Sequence, residues 1–300
     1  MFVSVIICSI RRPELFGKLI DCLHAQAYRQ AEVLIVGSAT QPELDFPATE
    51  TKLRVRYVAA PKGLAPARNV GLRRTTGDVV CFFDDDVLVG PEFLAQAVSI
   101  LNESEHAEVG GLTGFDTVNY STSVGGRWRF RALLGITPSL KPGDASHLGR
   151  SVPLSFFQPF SGVREVKWLP GFCQIFRRSA IQGLQYDEKI IVEDRDFSME
   201  VGRTHRLLIS GDLKVQHLRD DEARHPNHVQ TWRASFGLGR SFAKRRRAFR
   251  DWFTIVHVLV GEILIDVIVA IGRPSLVNCK VPVWRINGFV SGFASFRGRS

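Results

Sequence analysis

Residues Val79 to Phe83 read Val-Val-Cys-Phe-Phe and run directly into Asp84-Asp85-Asp86. Five apolar residues in succession suit a strand buried on both faces, as in a parallel sheet. Three carboxylates at its C-terminal end then lie where open α/β sheets hold ligands. Adjacent acids repel one another and resist burial. A hard divalent cation relieves that repulsion, and oxygen donors suit Mg²⁺ or Mn²⁺. The alternative is a solvated acidic turn that closes the strand.

The first third of the chain alternates strand-like and helix-like stretches. Phe2–Cys8, Glu32–Val36 and Arg54–Val58 read as strands, and Val79–Phe83 as a fourth. Pro13–Gln26 has Pro at its start and Leu15, Leu19, Cys22 and Leu23 at helical spacing. Ala65–Arg74 and Pro91–Leu101 read as two more helices. This alternation predicts a doubly wound, mostly parallel α/β sheet flanked by helices. Gly, Ser and Pro interrupt residues 110–163, which predicts loops with short inserted elements. A strand near Phe172–Phe176, a helix over Asp194–Thr204, and strands at Leu207–Ile209 and Leu213–Gln216 follow, with His217 just past the last.

The N-terminus, Met-Phe-Val-Ser-Val-Ile-Ile-Cys, has neither the basic leader nor the small-residue cleavage site of a signal peptide and reads as a first strand. Five scattered cysteines, without metal-ligand spacing, predict buried free thiols in a reduced, cytoplasmic protein. The net charge of +9 sits at one end. Residues 231–300 carry 12 of the 39 Lys/Arg and 3 of the 30 Asp/Glu, leaving 27 of each in residues 1–230. The globular body thus shows no preference for a polyanion. No nucleic-acid reading module is present either, so no nucleic acid is expected.

Six stretches in order resemble bacterial family 2 glycosyltransferases of the GT-A fold. The opening Val-Ser-Val-Ile-Ile-Cys-Ser-Ile-Arg-Arg-Pro is similar to that family's first strand and nucleotide loop. Gly63-Leu64-Ala65-Pro66-Ala67-Arg68-Asn69-Val70-Gly71 followed by Thr76-Gly77-Asp78 is similar to the stretch before the metal motif, and Phe83-Asp84-Asp85-Asp86 to the DxD motif itself. Trp168-Leu169-Pro170-Gly171 resembles the acceptor-side strand. Val192-Glu193-Asp194-Arg195-Asp196-Phe197 resembles the later acidic motif, and Val215-Gln216-His217 the last metal-proximal position. The second strand departs from the pattern, ending in Gly37-Ser38-Ala39-Thr40 where the family has base-contacting acids.

The resemblance implies an inverting, metal-dependent glycosyltransferase using a nucleotide diphosphate-sugar. It implies Asp86 and His217 as metal ligands, and Ser9, Arg68, Asp84 and Asp85 on the donor side. Trp168 and Gly171 would face the acceptor. Asp194 would be the general base, with Glu193 orienting it or binding the acceptor hydroxyl. Each residue also has a plainer reading. His217 could be a structural strand-end histidine, Arg68 a surface arginine, Glu193 and Asp194 a helix cap, and Trp168 and Phe172 core residues. Asp196 is expected to serve structure. The implied organisation is a nucleotide-sugar half over residues 1–110, an acceptor half over 111–220, and a helical C-terminal region over 221–300.

Seven Lys/Arg and no acid lie between Arg233 and Arg250, ahead of the apolar stretch Trp252–Gly272. Spanning a bilayer takes about 20 apolar residues, but each central acid costs roughly 2.5–3.5 kcal/mol, and Glu262 and Asp266 are both inside. Asp251, Thr254, His257, Glu262 and Asp266 share half of a helical wheel. The reading is an amphipathic helix on the inner face of the cell membrane, with peripheral contact through residues 233–272. Packing on the body is the alternative. The acceptor is then a lipid-linked or growing surface glycan. Competing readings are a nucleotidyltransferase, opposed by the absence of glycine in Ser9-Ile10-Arg11-Arg12-Pro13, and a non-catalytic nucleotide-sugar or glycan-binding subunit.

Overall fold

The computed structural model describes residues 1–8, 13–38, 53–218 and 226–296. Its elements in chain order begin with β1 (Val3–Cys8), α1 (Pro13–His24), β2 (Ala31–Ser38), β3 (Arg54–Ala60) and α2 (Leu64–Arg74). Next come β4 (Val79–Phe83), β5 (Val87–Val89), α3 (Phe93–Asn102), β6 (Val109–Asp116) and α4 (Gly126–Leu133). The remainder are β7 (Val163–Val166), β8 (Cys173–Arg177), α5 (Glu193–Val201), β9 (Arg206–His217), α6 (Asn227–Arg245), α7 (Arg250–Gly272) and α8 (Leu276–Ser295). They fall into two compact units. The first holds residues 1–121, 157–188 and 193–219; the second holds 122–156, 189–192 and 220–300.

The first unit is built on a mixed sheet in the order β3-β2-β1-β4-β8-β6-β9-β5, with β7 paired to β9. Its N-terminal half is parallel: β1 lies between β2 and β4, and β3 flanks β2. β8 enters antiparallel to β4, and β6 runs parallel to β9. Val3, Val5 and Ile7 of β1 share a core with Phe16, Leu19 and Leu23 of α1 and Phe93, Leu94 and Val98 of α3. On the other face a Cβ added to Gly71 of α2 would stand 2.6 Å from Ile6. Alternate residues of β1 therefore serve opposite faces, as a doubly covered sheet requires.

Residues 110–163, expected as loops, contain a full strand of this sheet. β6 carries Gly110, Gly111 and Gly114, which dilute its apolar pattern, and the structure gives a steric reason for them. A Cβ on Gly111 would lie 2.8 Å from Leu207, and one on Gly114 would lie 2.4 Å from the Leu213 carbonyl. The two strands expected after residue 206 are one strand, β9. It is bulged, since Gly114 faces Ser210 while the next residue, Phe115, faces Lys214.

The second unit is helical. Gly239 of α6 and Gly288 and Gly292 of α8 leave room for the facing backbone; a Cβ at any of them would come within 2.5 Å of a carbonyl on the other helix. Ile136, Leu148, Leu238, Phe242, Ile255, Val258, Ile265 and Phe289 form the core of this unit. Four of the five cysteines are at least half buried and all are free thiols; Cys279 is exposed, against expectation.

Candidate active site

The strand register brings the acidic triplet to the end of β9. β5 follows Asp86 at once and pairs antiparallel with β9, so that Val87 sits opposite His217. The Leu218 N–H donates to the Asp86 carbonyl at 2.9 Å. Asp86 and His217 are thereby neighbours, with Nε2 3.4 Å from Asp86 Oδ2. Asp84, Asp86 and His217 each offer a donor atom within 4.8 Å of the others. Ligands about 2.1 Å from an octahedral ion stand roughly 3 Å apart when adjacent and 4.2 Å apart when opposite. Two carboxylates and an imidazole gathered this closely are a donor set that suits Mn²⁺ or Mg²⁺. Asp85 is buried between the other two.

His217 is held on several sides. Phe172 stacks on its ring at 4.7 Å, and Phe172 itself belongs to the sheet core. Asp116, at the end of β6, places Oδ2 3.9 Å from Nδ1. That carboxylate accepts from the N–H groups of Val118 and Asn119 and from the Asn119 side chain, whose amide also donates to the His217 carbonyl. A carboxylate near one ring nitrogen and a ring stacked on its face restrain the orientation of the imidazole. Sequence reasoning passed over Asp116 because it lies in the glycine-diluted stretch and follows no motif.

Arg68 is not a surface arginine; it is 2% exposed. Its Nη1 donates to Glu193 Oε1 at 2.8 Å, and its Nη2 reaches Asp84 Oδ1 and the Gly171 carbonyl, each at 3.3 Å. One guanidinium thus ties the acidic triplet to the acidic helix. Burial pushes the Glu193 carboxyl up to about 7, opposed by Arg68 and reinforced by the Asp194 charge. Burial also raises Asp84; Arg68 opposes the shift and Asp86 adds to it.

Glu193, Asp194 and Asp196 occupy the first turn of α5, where the helix dipole favours negative charge. Asp194 Oδ2 accepts the Gly171 N–H at 2.8 Å. A Cβ on Gly171 would lie 3.0 Å from that oxygen and 3.2 Å from Arg68 Nη2, so glycine permits the approach. Leu169 N–H donates to Ser198, and Gln174 donates to the Leu169 and Asp194 carbonyls, fixing the 168–171 turn onto α5. Trp168 is half-buried beside it. Asp196 is buried. Ser9 lies outside the described residues, as do Ala39 and Thr40.

Burial drives the thiols of Cys8 and Cys173 up to about 12. Neither is a nucleophile near neutral pH.

A match to the family described as glycosyl transferase family 2 covers residues 4–184. Two curated relatives from Haloferax volcanii are a glucosyl-dolichyl phosphate glucuronosyltransferase, 29% identical over 37% of this chain and 38% of the relative, and glycosyltransferase AglE, 27% identical over 41% and 43%. The aligned region thus spans about two fifths of these relatives. Among solved structures, a Pyrobaculum calidifontis mannosyltransferase in complex with GDP-Man and Mn²⁺ has a TM-score of 0.56 at 17% identity, covering 98% of this chain and 86% of its own. S. aureus TarS 1-349 with UDP-GlcNAc has a TM-score of 0.61 at 16% identity, covering 98% and 82%. The fold is GT-A, and the chain belongs to glycosyl transferase family 2.

Proposed function

We propose that this protein is a metal-dependent, inverting glycosyltransferase that moves a sugar from a nucleotide diphosphate donor to a hydroxyl of a lipid-linked or growing glycan. The observation carrying this reading is the convergence of Asp84, Asp86 and His217 on the same strand ends as the Arg68–Glu193 pair. Asp86 and His217 would hold Mn²⁺ or Mg²⁺, with Asp84 and Asp85 on the donor side. When bound, the ion supplies charge neutralisation for a departing diphosphate.

The chain's own groups do the rest. Asp194 takes the proton of the attacking hydroxyl, its carboxylate anchored through Oδ2 by the Gly171 N–H. Arg68 holds Asp84 and Glu193 in fixed relation, so donor-side and acceptor-side carboxylates cannot drift apart. Gly171 and the half-buried Trp168 border the acceptor position. With Asp194 acting as a base and not as a nucleophile, the acceptor hydroxyl displaces the diphosphate in a single step that inverts the anomeric centre. The name of the glucuronosyltransferase relative, which contains a dolichyl phosphate, supports a lipid-linked acceptor. The apolar surface of the C-terminal helices supports peripheral contact through residues 233–272 with the cytoplasmic face of a membrane.

Two variants test the division of labour. Asp194→Asn is expected to abolish transfer while leaving Mn²⁺-dependent binding of UDP or GDP within about twofold of wild type, because a general base adds 10²–10⁴ to the rate. Asp86→Ala is expected to weaken that binding by tenfold or more. Full activity in Asp194→Asn removes it as the base.

A further inference from the structure

We infer that α7 and α8 together form a hairpin lying in the plane of an anionic membrane surface, with its acids turned into protein and its apolar side turned into lipid. This rests on the membrane contact proposed above and extends it to a second helix and a defined face.

The three acids of α7 do not face water. Asp251, Glu262 and Asp266 are each no more than 3% exposed. Glu262 accepts from both Arg131 and Arg150, and Arg285 of α8 grips Asp266 through two nitrogens. Arg127 adds a contact to Asp266, and His147 one to Asp251. Residues 127–150 therefore cover that side of the helix with side chains of the same unit. A helix crossing a bilayer among lipids would need apolar residues all round. The 23 residues of α7 form instead a rod about 35 Å long with one side free.

That free side is a continuous stripe. Phe253, Val256, Val260 and Leu264 are 45–67% exposed at helical spacing. Leu276, Val283 and Val290 of α8, seven residues apart, are 57–83% exposed. Patches of this extent mark an interaction surface. The charges choose the occupant. Arg246, Arg247 and Arg250 at one end, Arg273 at the helix junction and Lys280 on α8 are exposed, whereas every acid of residues 250–296 is buried. A second copy would set positive charge against positive charge. Anionic headgroups beside acyl chains complement both parts of the surface.

Flotation of the full chain with phosphatidylcholine vesicles, with and without phosphatidylglycerol, tests this. Wild type is expected to float with the anionic vesicles. Val260→Glu on α7 and Val283→Glu on α8 are each expected to lose about tenfold in vesicle affinity, equivalent to 1.4 kcal/mol, with unchanged thermal midpoints and Mn²⁺ binding. Arg246→Ala with Arg247→Ala is expected to bind more weakly and to lose most of the salt dependence. If Val283→Glu floats like wild type while Val260→Glu does not, the hairpin is wrong and membrane contact through α7 stands. Failure of wild type to float overturns both. A lipid-free dimer that Val283→Glu dissociates assigns the surface to protein instead.

Discussion

At the scale of single residues, Arg68 has the largest consequences. Its guanidinium is buried against Glu193 and Asp84, two carboxylates distant in sequence. Removing one partner of such a buried pair costs about 3–5 kcal/mol, so Arg68→Met is expected to lower unfolding free energy by that order in urea titration. Arg68→Lys retains charge but loses the fork that serves three acceptors, and its transfer rate is expected to fall further than its stability. Glu193 gives a pH signature. Its carboxyl, held at about 7, ionises within the working range, so kcat/KM of wild type is expected to show an inflection near pH 7. That inflection should be missing in Glu193→Gln. The triplet at Asp84 stood out in the sequence because it closes an apolar strand, and the acids at Glu193 and Asp194 because their stretch resembles the family's later acidic motif. The role of Arg68 could not, because its burial depends on a partner 125 positions away, and α2 carries little apolar signal around it.

At the scale of elements, glycine separates what periodicity reveals from what it hides. β4 is five apolar residues and was read with its correct bounds. β6 is threaded with glycines because its neighbours press against its backbone, so its strand signal is weak just where its packing is tightest. Gly114→Ala would set a Cβ 2.4 Å from the Leu213 carbonyl. A cost of about 1–3 kcal/mol is expected, seen as a lower thermal midpoint. For α7 the sequence showed which residues share a face but not which way that face turns, since the covering arginines come from residues 127–150 and from α8. Glu262 reports that packing through pH. Burial alone would raise its carboxyl, but Arg131, Arg150 and Arg285 prevail and hold it at about 2. A depressed carboxyl contributes stability above its unfolded value of about 4.5, and the contribution disappears as pH falls from there toward 2. Wild type is expected to lose stability over that window in circular dichroism. Glu262→Gln is expected to be less stable at pH 7 and to lose stability less steeply than wild type below pH 4.5.

At the scale of the whole molecule, the asymmetry of charge seen in the sequence sharpens in the structure: the sheet unit, with 20 Lys/Arg and 23 Asp/Glu, holds the candidate chemistry, and the whole basic surplus belongs to a helical unit with exposed apolar sides. Six ordered stretches resemble the family whose match covers residues 4–184, which is why the first 220 residues could be read so far. The assignment of residues 122–156 to the helical unit could not, because their contacts are made with helices a hundred residues later. The central claim is that Asp86 and His217 hold a cation that in turn holds a nucleotide diphosphate. Isothermal titration of UDP and GDP into wild type, Asp86→Ala and His217→Ala, each with Mn²⁺ and with EDTA, tests it most directly. At least one nucleotide is expected to bind wild type only with Mn²⁺, and each variant to bind it at least tenfold more weakly; equal binding in EDTA, or wild-type affinity in both variants, would contradict the claim.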